Sequence, residues 1–368
     1  MINIGILYGG KSGEHYVSLC SAASVASGLD KNKYHITAIG VARDGRWHVQ
    51  DRPVIIDDPI FGKILKLEKN GDWLINHYGD AKLTLTEIKT RRTVSLDVVF
   101  PVMHGTNCED GRLQGMLELS SVPYIGAEVA GSAIGMDKDV SKRLVKECGI
   151  PVVPWETLNY NEWENNKVDL AEKVIKSIGL PLFVKPCNTG SSVGVNKVKT
   201  HGDFSTAVES SFRFDNRLLI EKALTVREIE CAVLGNEKPE ASCLGEIIPR
   251  HEFYSYEAKY IDNDGAELII PAELEPKLEK SIRDAAIKVF IALNCAGLAR
   301  VDFFVDKQTN AFYFNEINTI PGFTSISMYS KLWGHTGLGY SELLDRLVSL
   351  ALERHALKKR ILTEFTND

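Results

Sequence analysis

Two stretches of the chain concentrate the residue types that do chemistry. In the first, LARVDFFVDKQTNAFYFNEINTIPGFTS (298–325), Arg300 and Asp302 lie two apart in one β-rich run, and Glu316 and Asn318 two apart in the next. Side chains alternate along a strand, so each pair shares a face. The two faces coincide if the hairpin pairs 302 with 316. That register asks for a three-residue loop at 308–310, with Asn310 in the left-handed conformation; a two-residue loop would put the carboxylates on opposite faces. Two carboxylates and an amide oxygen are hard ligands suited to Mg2+, which usually completes its shell with substrate phosphates. Arg300 beside them can offset charge developing on an oxygen. The run ends in Pro321-Gly322-Phe323-Thr324-Ser325, expected to be a turn with free backbone N–H groups. The alternative, a hairpin of solvated polar residues, fits poorly with that abrupt glycine turn.

The second stretch is LFVKPCNTGSSVGV (182–195), a strand carrying Lys185, followed by a turn containing Gly190, Ser191 and Ser192. A Walker A loop places its lysine after the glycines, on the helix they introduce. Here the lysine comes first, which suggests a phosphate held by a strand lysine beneath a glycine flap. Residues 5–12, GILYGGKS, match the Walker A pattern in letters alone. Gly5 lies inside the apolar run NIGILY, so too little loop remains to wrap a phosphate. The segment reads instead as strand, tight turn and helix, with Glu14 at the turn as a carboxylate suited to an ammonium ligand.

Around these stretches the chain is ordinary globular protein, with 44% hydrophobic and 25% charged residues. Its 368 residues suggest two or three domains. The net charge is −6 and no basic stripe is present, which disfavours nucleic acid as a partner. Seven scattered cysteines without a CxxC point to a reducing compartment and against structural zinc. No basic leader precedes the first apolar run, and no segment is apolar enough to span a bilayer, so a cytoplasmic protein is expected.

The first part alternates strand and helix: INIGILY, a helix ending near Gly28, YHITAIGVA, a hairpin at Asp44-Gly45, and the apolar run 96–104 leading into His104. This is the pattern of a doubly wound parallel sheet, which gathers ligands at the carboxyl ends of its strands. His104 at such an end is either a packed histidine or a ligand. Beyond it the spacing predicts one helix over 129–149, a polar connector at 159–166 and a helix over 168–178. Strands follow at RLLIEKAL and on either side of an Asn-Glu-Lys-Pro turn within 226–249. A helix over 273–294 and a single C-terminal helix complete the pattern. Residues 250–270 are long enough to be a lid.

The ordered set GGKSGEHYVSL, HGTNCEDGRLQGMLEL, MDKDVSK, VKPCNTGSSVGV, LIEKAL, REIECAVLGN, FYSYEAKY, RVDFF and NEINTIPGFTS resembles the D-alanine–D-alanine ligase family of ATP-grasp enzymes over almost the whole chain. The resemblance implies an α/β N-terminal substrate-binding domain (1–128), a central ATP-grasp subdomain with the flap (129–225) and a C-terminal subdomain with metal site and lid (226–368), with ATP between two sheets. It implies that Lys138, Lys185 and Ser192 contact nucleotide phosphates, and that Lys259 reaches the terminal phosphate. Glu221, Lys222 and Leu224 would border adenine and Glu228 the ribose. Asp302, Glu316 and Asn318 would hold two Mg2+ ions, with Mn2+ able to replace them. Arg300 and the Gly322 N–H would form an oxyanion hole. Glu14 would bind the first D-alanine's ammonium, with His104 near its carboxylate. Ser191 and Tyr260 would link to Glu14 beside the second D-alanine, whose carboxylate Ser327 would contact. A homodimer is also implied.

The chain departs from the family pattern at Tyr16, where a second glutamate is usual, and at Cys108 and Cys187, where other small residues are expected. Cys187 beside the flap is expected to confer sensitivity to thiol reagents. Rival readings are a sister ligase making D-alanyl-D-lactate or D-alanyl-D-serine, a ligase for another carboxylate and amine, and a non-catalytic nucleotide-binding regulator.

Overall fold

The computed structural model describes residues 1–76, 81–249, 266–324 and 327–362. Its N-terminal sheet has four strands in the order Trp47–Gln50, Tyr34–Val41, Ile2–Gly9 and Val98–Pro101. The last three run parallel, and Trp47–Gln50 adds an antiparallel edge across the expected hairpin. Helix His15–Gly28 returns across this sheet. Gly5 is an interior residue of Ile2–Gly9, where a Cβ would come within 2.4 Å of a Leu96 methyl. It is a packing glycine, and the Walker A match is a coincidence of letters. Residues 51–96, which carried no sequence expectation before the apolar run, form two small antiparallel sheets, Ile55–Asp58 with Gly62–Leu65 and Trp73–Asn76 with Leu83–Glu87 and Thr93–Leu96.

Two antiparallel sheets follow. One has the order Trp155–Asn159, Arg217–Lys222, Leu182–Pro186 and Asn196–Val198. The other is Ala266–Ile269, Glu240–Pro249, Val226–Gly235, Gly297–Asp306 and Phe312–Asn318. The edge strand Ala266–Ile269 lies within the segment read as a lid connection.

The C-terminal helices Met328–His335 and Tyr340–Lys358 replace the single helix expected. Leu332, Trp333, Leu343, Leu344 and Leu347 share one core with Ile4, Ile6 and Tyr8 of the N-terminal sheet and with Ala232, Leu234 and Leu298 of the five-stranded sheet. Each such aliphatic or aromatic side chain contributes about 1.5–3 kcal/mol on burial, so these helices fasten the first sheet to the last.

Two further expectations are corrected. The helix predicted over 129–149 is two helices, Val129–Met136 and Lys138–Glu147. The break falls at Asp137, which is extended (ψ 103°) and whose carboxylate accepts from the N–H groups of Asp139 and Val140. An aspartate cap competes with the helical backbone and starts a new helix. The polar connector at 159–166 holds a short helix, Tyr160–Asn165, anchored by Trp163, which is fully buried among residues of the four-stranded sheet and its helices.

Candidate active site

The hairpin of the five-stranded sheet has the register required to join its polar faces. Asp302 pairs with Glu316 and Arg300 with Asn318. The route differs from the expected three-residue loop. Asp306 pairs back to Ala311 across a four-residue turn, with Asn310 left-handed at φ 56°, and a β-bulge between Asp302 and Phe303 restores the register. A bulge places two residues opposite one and so reverses the facing of every residue beyond it. On the other side Glu230 lies directly opposite Asp302. Glu230, Asp302 and Glu316 thus form a row across three neighbouring strands.

Arg300 lies within that row. Its Nε and Nη2 donate to the two Asp302 oxygens at 2.8 and 2.7 Å, and Nε is 2.9 Å from Glu230 Oε2. Burial opposes the guanidinium charge, but Asp302 and Glu230 outweigh it and raise the Arg300 pKa well above its ordinary value. Asn318 Nδ2 donates to Asp302 Oδ2 at 3.0 Å, and Lys138 Nζ is 3.5 Å from Glu316 Oε2. Among the described residues no three His, Cys, Asp or Glu side chains form a closed metal cage. Asp302, Glu316 and an Asn318 amide turned to present its oxygen make an open set of hard donors. Such a set suits a divalent ion that takes its remaining ligands from phosphate.

This row forms one wall of a cleft of about 250 Å³, and the four-stranded sheet and the glycine turn form the others. Lys138, Lys185, Ser191, Ser192, Glu221, Lys222, Leu224, Glu228, Arg300, Asp302 and Glu316 all line it, so most of the sequence-predicted nucleotide and metal residues converge there. Phe183 pairs with Glu221 across the two strands, and Lys185, two residues along, faces the same way. Lys185 Nζ therefore reaches Glu221 Oε2 at 2.6 Å. The other Glu221 oxygen lies 2.5 Å from Lys142 Nζ, a fully buried amine that sequence reasoning missed. Burial would raise the Glu221 pKa, but the two amines prevail and lower it. Burial pulls Lys142 below an ordinary lysine, against Glu221. A neighbouring carboxylate favours the protonated form of such an amine. The Glu221 carboxylate is thus committed to lysines.

The glycine turn is tied down at two points. Lys138 Nζ donates to the Thr189 carbonyl at 2.6 Å, and Ser191 Oγ donates to Glu14 Oε1 at 2.5 Å across 177 positions of sequence. Ser191 and Ser192 both have left-handed backbones, φ 50° and 59°. This conformation is costly for non-glycine residues and tends to occur where function requires it. Gly105, at φ +78°, lets Glu14 approach, since a Cβ there would lie 2.5 Å from Glu14 Oε2.

His104 is buried, with Nδ1 donating to the Ile320 carbonyl at 3.0 Å and Nε2 at 2.9 Å from Ser21 Oγ. Its Nδ1 is also 3.6 Å from Glu109, a half-buried group that sequence reasoning passed over. Burial alone would lower the His104 pKa, but Glu109 and Glu14 raise it. The Pro321–Phe323 turn is less open than expected. Phe323 N–H donates to Ser21 Oγ and Thr324 N–H to Ser327 Oγ, while among the described residues Gly322 N–H has no such partner. Ser327 Oγ would lie 3.0 Å from a Cβ at Gly322, so these two sequence-predicted positions are neighbours. Lys259 and Tyr260 lie outside the described residues.

Cys187 is not placed where a reactive thiol is expected. It is fully buried beside the flap, and burial pushes its thiol up to about 12. Cys108 is buried too, and Cys148 is the exposed one. Alkylation of the folded protein should therefore modify Cys148 and leave turnover unchanged, which mass spectrometry and an activity assay on the same sample would check.

Residues 3–127 match the family model for the D-ala D-ala ligase N-terminus, and residues 144–349 match that for the C-terminus. The chain belongs to the D-alanine–D-alanine ligase family. It is 48% identical to a D-alanine–D-alanine ligase of Oceanobacillus iheyensis, covering 96% of this chain and 95% of that one. It is 44% identical to D-alanine–D-alanine ligase A of Escherichia coli K12, with 98% and 99% covered. Among solved structures it resembles the D-alanine–D-alanine ligase of Coxiella burnetii, with TM-score 0.83, 37% identity and coverage of 98% and 96%. It also resembles the VanG D-Ala:D-Ser ligase of Enterococcus faecalis, with TM-score 0.81, 33% identity and coverage of 95% and 99%. As a member of the D-alanine–D-alanine ligase family, the chain is an ATP-dependent ligase.

Proposed function

We propose that the chain joins two D-alanine molecules through an acyl phosphate, releasing ADP and phosphate for peptidoglycan precursor synthesis. The observation that carries this reading is the meeting of Lys138, Lys185, Arg300, Asp302 and Glu316 in one cleft, with Glu14 reached from its flap through Ser191. A carboxylate does not react with an amine directly, because its oxygen leaves too poorly. The first D-alanine, its ammonium on Glu14, therefore attacks the γ-phosphorus of ATP, and ADP departs. Lys138, Lys185 and Lys259 hold the phosphates, Ser192 adds a flap contact, Lys222 and Leu224 border the adenine, and Glu228 meets the ribose. Asp302, Glu316 and Asn318 would hold two divalent ions, Mg2+ or Mn2+, whose charge when bound neutralises phosphate oxygens.

The neutral amine of the second D-alanine, seated against Ser327, then attacks the acyl carbon. Arg300 and the Gly322 N–H steady the oxyanion, and phosphate leaves. Ser191 and Tyr260 join Glu14 beside the second amino acid. His104 acts from behind, fixing the Ile320–Phe323 turn through the Ile320 carbonyl and Ser21. Closure of the flap keeps water from the acyl phosphate. The three domains bounded at 128/129 and 225/226, a cytoplasmic location and a homodimer belong to the same proposal.

With ATP, Mg2+ and D-alanine alone, the expected products are phosphate and a dipeptide, and L-alanine should give neither. Turnover confined to D-alanine mixed with D-lactate or D-serine would reassign the chain to a sister ligase. Silence with every pair would point to a regulator or to another substrate class.

A further inference from the structure

Glu221 holds two lysines that differ in one respect. Lys185 faces the cleft, whereas Lys142 does not line it and is only 1% exposed. The three residues come from separate elements: helix Lys138–Glu147, strand Arg217–Lys222 and strand Leu182–Pro186. Lys142 Nζ is 2.5 Å from Glu221 Oε1 and donates to the Phe314 carbonyl at 3.4 Å. A buried ion pair gains little over apolar packing of the same volume, so its presence calls for a reason beyond stability.

We propose that Lys142 is a positioning residue, the permanent counter-ion of Glu221 that lets Lys185 leave this carboxylate and take up a nucleotide phosphate. The inference rests on the nucleotide reading of the cleft. A cation that neutralises a buried carboxylate cannot move to a phosphate unless another cation stays behind, because an isolated buried charge is strongly unfavourable. Lys142 is placed to stay: it is enclosed, away from the cleft wall, and ion-paired with the opposite Glu221 oxygen. With a neutral side chain at 142, Glu221 would hold Lys185 as its counter-ion, and phosphate would have to compete for that amine.

The test is binding of ADP and of adenosine, measured by calorimetry on the wild-type chain, Lys142→Met, and a Glu221→Gln, Lys185→Met background with and without Lys142→Met. Lys142→Met should weaken ADP by about tenfold, the size of one lost charge-assisted contact, with adenosine unaffected. In a Glu221→Gln, Lys185→Met background, which has no buried carboxylate to neutralise, the same change should cost no further ADP affinity. Equal weakening of ADP and adenosine, or additive losses, would overturn the proposal. If Lys142→Met does not fold, pairing it with Glu221→Gln removes both buried charges together. ADP binding should then return towards wild type, and a folded double variant with weak ADP binding would count against the idea. Failure of the wild-type chain to bind ADP would instead remove the nucleotide reading on which the inference stands.

Discussion

Replacing Arg300 by lysine is expected to lower kcat by about 10²–10³-fold, the loss typical of one oxyanion donor, with ADP affinity almost unchanged. The guanidinium fork spans both Asp302 oxygens while its Nε also meets Glu230. A lysine keeps the charge but cannot reproduce that fork. It would settle on one carboxylate and leave the acyl oxygen without its aligned donor. Because one positive charge remains between Glu230 and Asp302, the fold should survive, and a thermal melt on the assayed protein would show this. Unchanged kcat in Arg300→Lys would remove Arg300 from the chemistry.

The second large effect is expected at Glu316. Glu316→Gln keeps the shape but loses a formal charge from the open donor set, and kcat should fall by about 10²-fold or more, since bound metal supplies several kcal/mol of transition-state stabilisation. The direct readout is Mn2+ binding with ADP present, followed by electron paramagnetic resonance, which should weaken in step. Glu316 lies in the cleft wall beside Lys138 rather than in the core, so the melt should move little. A Glu316→Gln variant that bound Mn2+ as tightly as the wild type would show that the ion sits elsewhere.

Much of this site was legible because strands reveal their faces. The two-residue spacing of Arg300 with Asp302 and Glu316 with Asn318 carried the pairing of 302 with 316. The turn length was not legible, since a four-residue turn plus a bulge gives the same pairing as a three-residue loop alone. The helix break at Asp137 was missed because both sides have helical periodicity. The signal was present in Asp137 followed by Asp139, a capping side chain and a first-turn acid. Lys142 was missed because an amphipathic helix with several lysines looks solvated on its polar face. Only the tertiary fold places Glu221 opposite one of them. Cys187 was misjudged because nearness to a flap in sequence does not fix exposure.

The measurement that tests the central claim most directly follows oxygen. D-Alanine labelled with 18O in its carboxylate is turned over with ATP, and the phosphate and dipeptide are analysed by mass spectrometry. An acyl phosphate requires a carboxylate oxygen to attack phosphorus and to leave with it, so each dipeptide formed should be matched by a phosphate carrying one 18O. Dipeptide formed alongside unlabelled phosphate, or with AMP and pyrophosphate in place of ADP and phosphate, would contradict the mechanism proposed for this cleft.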